Sequence, residues 1–287
     1  MTAPGMTVSH RRIDHLVLAV RDLDRAAAFY ESLGFQVGAR NRHPWGTENR
    51  LVQFRFSFLE LITVGNGTRI PPHAPGRFSF GAFVRDYLGK REGLAMVVLD
   101  SGDAPADAAE FARTGIGRFE PFHFERKGRR PDGGEIVVAF SLAFALDPRL
   151  PDTSFFVCQQ HNPEAFWNPA FQQHANGAAS VASVTLEVSD PSAHAEFLAA
   201  FTGVAGQTGG KPDIVLPLQA DGRLVVAPDT RAPGHMSYRV AVTDPAAVAK
   251  RLGRLGLPFQ TADDVVTIGA DAAFGVAIQF GASGKPR

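Results

Sequence analysis

Residues 13–35 read IDHLVLAVRDLDRAAAFYESLGF. Residues 13–20 form a short β-branched and aliphatic run, the length of one strand rather than of a helix. Asp22 then offers a carboxylate to cap a helix carrying Ala26, Ala27, Phe29 and Tyr30, and Gly34 supplies its stop. Residues 35–38 read as a second short strand, and residues 51–55 and 58–64 as two more joined by a tight turn. The order is β-α-β-β-β.

The same order recurs down the chain. A second unit has a strand at 93–99, a helix at 105–114 ended by Gly115, and strands at 119–125, 136–146 and 154–160. A third has a strand at 181–188, a helix at 192–202 ended by Gly203, and strands at 214–218 and 224–227. The fourth has a strand at 237–242, a helix at 245–255 ended by Gly256, and strands at 259–260, 265–268 and 275–280. The Asp that leads the first helix returns as Asp190 and Asp244. A Pro- and Asn-rich passage, 162–177, separates the second and third units and reads as a linker. The expected fold class is α+β: four βαβββ modules arranged as two paired-module half-barrel domains, 13–170 and 178–283.

Composition narrows the partners. Twenty-nine basic and 29 acidic side chains cancel, so no net field draws the protein to nucleic acid or to an anionic membrane, and a small molecule is the expected partner. Cys158 is the only cysteine, which excludes an internal disulfide framework or a multi-cysteine metal site and points to a reducing, cytoplasmic setting. MTAPGMTVSHRR, at the start of the sequence, shows no secretory pattern, and nowhere do about 18 apolar residues run unbroken. Phe is abundant, 23 residues against 3 Tyr and 2 Trp, enough to pack a core and also to line an apolar cavity.

Four such modules, opening with IDHLVLAVRDLDRAAAFYESLGF and with FLELITV (58–64) closing the first, resemble the vicinal oxygen chelate superfamily of glyoxalases, extradiol dioxygenases and bleomycin-resistance proteins. The first half, with HPWGTENRLVQF (43–54) and SFFVCQQHNPEAFW (154–167), is most similar to the glyoxalase-like domain branch. The resemblance implies a cavity enclosed by paired modules and a divalent metal, Zn, Ni, Mn or Fe, held by first-strand and last-strand residues. In module one these positions are His15 and Glu60. Both also stand out physically. His15 interrupts an apolar strand, and a bare buried carboxylate at Glu60 costs several kcal/mol unless it is paired or metal-bound. The plainer alternatives are a hydrogen-bonded core histidine and a solvent-facing glutamate.

Module two departs from the pattern, because the counterpart of His15 falls on Gly93 or Val97. At its far end Cys158 registers with Glu60, and Gln160 lies two residues on, on the same face. His161 points the other way unless the strand ends or bulges there. Either Gln160 or His161 is a candidate third ligand, and His161 would complete a two-His-one-carboxylate set of the kind associated with non-haem iron. In the second half, Ser183 and Ser237 replace His15, while Val226 and Gln279 replace Glu60, so that half reads as a scaffold or homodimer element. That argues against a ring-cleaving dioxygenase of the four-module kind.

By the period of two, Asn49 and Gln53 share a face and are expected to line the cavity, with Arg50 and Val52 turned away and His43 and Trp45 at the rim. The basic stretch 125–134 reads as a hairpin tip, either solvated or folded over the mouth with a guanidinium free to pair with a substrate carboxylate. The expected function is lyase or isomerase chemistry on a small carbonyl or hydroxy-carbonyl compound with vicinal oxygens, Glu60 serving as ligand or base. A non-catalytic sequestering protein of the same fold is the leading alternative, and an extradiol-type ring-cleaving dioxygenase, which needs Fe(II) and a third ligand such as His161, is the other.

Overall fold

The computed structural model of the chain describes residues 9–129, 135–208, 212–229 and 234–282. The first half contains β1 (Ile13–Ala19), α1 (Leu23–Ser32), β2 (Asn41–Arg42), β3 (Thr47–Gln53), β4 (Phe58–Val64), α2 (Phe80–Lys90), β5 (Gly93–Asp100), α3 (Ala104–Thr114), β6 (Phe122–Arg129), β7 (Glu135–Ala145), β8 (Ser154–Gln160) and the short α4 (Pro163–Phe166). The second half follows with β9 (Ala178–Val188), α5 (Ala195–Thr202), β10 (Ile214–Pro217), β11 (Arg223–Pro228), β12 (His235–Val242), α6 (Pro245–Arg254), β13 (Gln260–Ala262), β14 (Val265–Ile268) and β15 (Ala277–Ala282). Helix starts follow the aspartates: Asp22 accepts from the Asp24 and Arg25 amides, and Asp244 from that of Ala247. No helix among the described residues is long and apolar enough to cross a membrane.

Two curled sheets result, one per half. The first runs β2-β3-β4-β1-β5-β8-β7-β6 and the second β10-β11-β9-β12-β15-β14-β13. Within a module the first and last strands pair parallel, β1 with β4 and β5 with β8, and the modules join antiparallel through β1 and β5. The first sheet curls until its edges meet through side chains. Arg126 on β6 donates to Asn41 Oδ1 on β2, and the Trp45 ring lies 5.1 Å from Phe122 and 5.0 Å from Phe124. Closure by side chains rather than backbone leaves a cavity inside the curl.

Each strand of this sheet feeds two cores. Leu16 and Leu18 of β1 face a large cluster shared with α1, α3 and the second sheet, whereas Val17 and Ala19 face the interior of the curl. The shared cluster joins the halves: Tyr30 and Tyr238 are buried with their hydroxyls 2.7 Å apart, and Phe111 of α3 packs 6.1 Å from Phe201 of α5. An unpaired hydroxyl at this depth would be costly, so each tyrosine satisfies the other.

Several local readings need correction. Residues 35–38 do not form a ladder strand; β2 is only Asn41–Arg42, and His43-Pro44-Trp45-Gly46 is the turn of a β2–β3 hairpin, with the His43 amide donating to the Thr47 carbonyl at 2.8 Å. Gly46 sits at φ +89, where a Cβ would lie 2.3 Å from the Asn66 carbonyl, so the turn requires glycine. Second, α2 went unread, although Ser79 caps it and Phe80, Phe83, Val84, Tyr87 and Leu88 recur at helical spacing. Phe80, Val84 and Tyr87 of this helix pack into the interior of the curl. Third, the helix of module two is capped by Asp103 rather than led by Asp100. Counting back from that cap puts Met96, not Gly93 or Val97, at the place of His15. In the same register Phe156 holds the place of Glu60, and Cys158 lies two residues further on the same face. In module three the equivalent of Glu60 is Val225 rather than Val226, since Val225 pairs with Thr185 as Glu60 pairs with Val17.

The passage 162–177 is a wall rather than a loose connection. Gln53 Nε2 donates to the Phe166 carbonyl at 3.0 Å, and His174 bridges the Gln36 amide, accepted at Nδ1, and the Gln53 carbonyl, reached from Nε2. Burial holds the His174 imidazole below its ordinary 6.5, against an opposing pull from the Gln53 carbonyl. The folded state therefore binds fewer protons than the unfolded state around pH 6, and its stability must fall as pH drops. Urea unfolding is expected to show a midpoint that declines from pH 7 to pH 5, and His174→Gln, which cannot titrate, is expected to flatten that decline.

Candidate functional site

The cavity inside the first sheet is lined by His15, His43, Trp45, Asn49, Glu60, Arg126, Cys158 and an apolar wall that includes Phe58, Phe80, Phe124, Phe140, Phe156 and Phe166. It admits the centres of water-sized molecules over about 70 Å³, room for roughly five waters and so for one small ring or short chain.

His15 and Glu60 meet here. Val17 lies opposite Glu60 in the parallel β1–β4 register, so Glu60 sits one pleat along from His15 on the inner face. The imidazole stacks on Phe58 at 4.2 Å and meets Phe156 edge-on at 5.4 Å. Its Nδ1 is 2.7 Å from Asp14 Oδ2, and its Nε2 is 3.9 Å from Glu60 Oε2. The Asp14 carboxylate accepts a hydrogen bond from Nδ1–H, which leaves the Nε2 lone pair directed at the Glu60 side.

Adjacent residues of a flat strand point to opposite faces, so Asp14 and His15 touch only because the strand is irregular. Ile13 pairs with Leu99 and His15 with Val98, which leaves Asp14 as an extra residue in a β-bulge. Asp14 is fully buried and also accepts from Gln160 Nε2 at 2.7 Å, with the Cys158 sulfur alongside. Burial, with Asp14 and Glu60 close by, pushes the Cys158 thiol well above its usual range, so it is a neutral donor here and not a nucleophile. Asp14, His15 and Cys158 present potential ligand atoms within 4.8 Å of one another.

Glu60 is held from the other side by a chain of amides. Asn49 Nδ2 donates to Glu60 Oε1 and to His43 Nε2, Asn41 Nδ2 donates to Asn49 Oδ1 at 3.0 Å, and Arg126 donates to Asn41. His43 stacks on Trp45 at 4.6 Å, with its Nδ1 2.8 Å from Thr47 Oγ1. Burial lowers the His43 imidazole below its ordinary value, an effect opposed by Glu60 and reinforced by Arg126.

Of the residues singled out in the sequence, the structure gathers His15, Glu60, Asn49, His43 and Trp45 around one cavity. Gln53 is buried but stands behind the wall, where it anchors Phe166. Gln160 reaches Asp14 rather than the donor side of His15. His161 is turned away: its Nε2 lies 2.8 Å from Ser141 Oγ, which His123 also contacts, on the outer face. Strand alternation takes it out of any set with His15 and Glu60. Asp14 was missed because period-two reading hides a bulge. Of the basic tip, Arg126 reaches the cavity, and residues 130–134 lie outside the described residues.

Sequence and fold comparisons agree with the fold. The profile of the glyoxalase-like domain matches residues 13–202, and the chain belongs to that family. Solved structures share the vicinal oxygen chelate fold across nearly the whole chain. A hypothetical protein from Staphylococcus aureus is 14% identical with a TM-score of 0.68, covering 94% of this chain and 98% of that one. A triple mutant of 4-hydroxymandelate synthase from Streptomyces coelicolor is 14% identical at TM-score 0.60, covering 97% and 95%. A Mn(II)-bound glyoxalase from Novosphingobium aromaticivorans is 13% identical at 0.58, covering 96% and 82%. At such identities the likeness establishes the fold and not the reaction. No curated protein matches the sequence.

Proposed function

We propose that this chain is a metal-dependent enzyme of glyoxalase type, acting on a small carbonyl or hydroxy-carbonyl compound with vicinal oxygens by lyase or isomerase chemistry. The observation that carries the reading is the His15–Glu60 pair: an imidazole Nε2 and a carboxylate Oε2, 3.9 Å apart, both buried in an aromatic cavity. Two ligands with bonds of roughly 2.0–2.2 Å to one ion span such a distance, and the nitrogen-plus-carboxylate donor set suits Zn, Ni, Mn or Fe. The similarity to a Mn(II)-bound glyoxalase is in keeping with this.

When bound, a divalent ion supplies Lewis-acid polarisation of a substrate carbonyl. The chain's own residues do the rest. Asp14 keeps His15 in the tautomer that offers Nε2. Asn49 fixes Glu60 through Oε1, leaving Oε2 to serve as a ligand or to take a proton from the carbon beside the carbonyl. The phenylalanine wall keeps water from that carbon. The second sheet, with serine at the places of His15, serves as the scaffold.

Metal content decides the matter. Protein expressed with Ni, Zn, Mn and Fe supplied is expected to retain about one equivalent of a single transition metal, and its removal to lower the melting temperature by several degrees. Protein that retains no metal and melts identically with and without all four would be a ligand-binding member of the fold instead.

A further inference from the structure

Arg126, solvent-exposed at the cavity's edge, is the only Lys or Arg among the described side chains that line the cavity. No carboxylate lies within 4.0 Å of it among the described residues, and its hydrogen bond goes to the neutral Asn41 Oδ1. Glu60, the one acid among the described lining residues, stands beyond ion-pair distance from Arg126 and is tied to Asn49 instead. The chain Arg126–Asn41–Asn49–Glu60 fixes the two charged groups apart in the same cavity, with Phe124, Phe140 and Trp45 between strands β6, β7 and the β2–β3 turn. Among the described residues Arg126 therefore spends one of its five N–H donors and has no counter-ion. A guanidinium with spare donors beside an apolar wall matches a carboxylate in a two-pronged contact. We infer that the natural ligand carries a carboxylate on a small apolar body, the carboxylate pairing with Arg126 and the body lying against Phe124, Phe140 and Trp45. The inference rests on the proposed cavity being the ligand site, and it narrows the substrate class to small organic acids.

Trp45 lines the cavity, so its fluorescence reports entry. Full-length protein stripped of metal by chelation would be titrated with benzoate and with benzamide, equal in shape but not in charge. Benzoate is expected to bind about tenfold more tightly, a difference of about 1.4 kcal/mol. Arg126→Met is expected to bring benzoate down to the benzamide value without altering benzamide, and Arg126→Lys, which keeps the charge but loses the fork, to fall between them. Equal affinities for the two probes, or a benzoate preference that persists in Arg126→Met, would overturn the assignment. Because the titration is metal-free, it can succeed where the metal reading fails, and a metal-loaded protein indifferent to charge would overturn this inference alone.

Discussion

Glu60→Ala and His15→Ala are each expected to emerge from metal-supplemented expression with almost no bound metal, where the unmodified protein is expected to carry about one equivalent. The two substitutions should nonetheless differ in their effect on the metal-free fold. Glu60 is a buried carboxylate with Asn49 as its hydrogen-bond donor, so its removal relieves a desolvation cost, and metal-free Glu60→Ala should melt at or above the metal-free parent. His15 fills the gap between Phe58 and Phe156, so His15→Ala leaves a cavity and should cost about 2 kcal/mol or more. Elemental analysis together with urea unfolding separates the two effects. Retention of metal by both variants would remove His15 and Glu60 from the centre.

The second large effect belongs to Asp14. Its carboxylate takes hydrogen bonds from His15 and Gln160 at a fully buried position, with the Cys158 sulfur alongside. Asp14→Ala strips both partners at once and is expected to lower the unfolding free energy by about 3 kcal/mol. It should also weaken metal binding by roughly 10–100-fold, because His15 loses the group that fixes its ring and tautomer. Asp14→Asn should be milder, near 1 kcal/mol. Its carbonyl can still accept from His15, and its new N–H₂ can face Gln160 Oε1, which is buried without a partner, once that amide rotates. If the alanine and asparagine variants are equally destabilised, the bulge does not work as a hydrogen-bonded unit. If metal affinity is unchanged in both, Asp14 does not position His15.

Much of this architecture was legible because it rests on strong local signals. Aspartate caps at Asp22, Asp190 and Asp244, glycine stops, and apolar strands of near-equal length repeat, and repetition exposes a module even where one boundary is ambiguous. His15 and Glu60 were legible for a different reason: each is a polar side chain set in an apolar strand, which costs energy unless something compensates. What escaped was set by geometry that sequence does not encode locally. The bulge at Asp14 breaks the period of two that strand reading depends on. The helix Phe80–Lys90 showed its spacing but lay outside the repeated unit. Arg126 looked like one charge of a solvated basic tip, and only the curl of the sheet, which brings β6 against β2, sets its exposed side chain at the edge of the cavity. His161 was the opposite case, since alternation already placed it on the outer face.

The central claim is that one metal is shared by His15 and Glu60. Anomalous scattering from a crystal of the metal-loaded protein, recorded at the absorption edge of the metal found by elemental analysis, tests it most directly. A single peak between His15 Nε2 and the Glu60 carboxylate is the expected result. A peak on the Nδ1 side of His15, among Asp14 and Cys158, or on the outer face at His123 and His161, would contradict it.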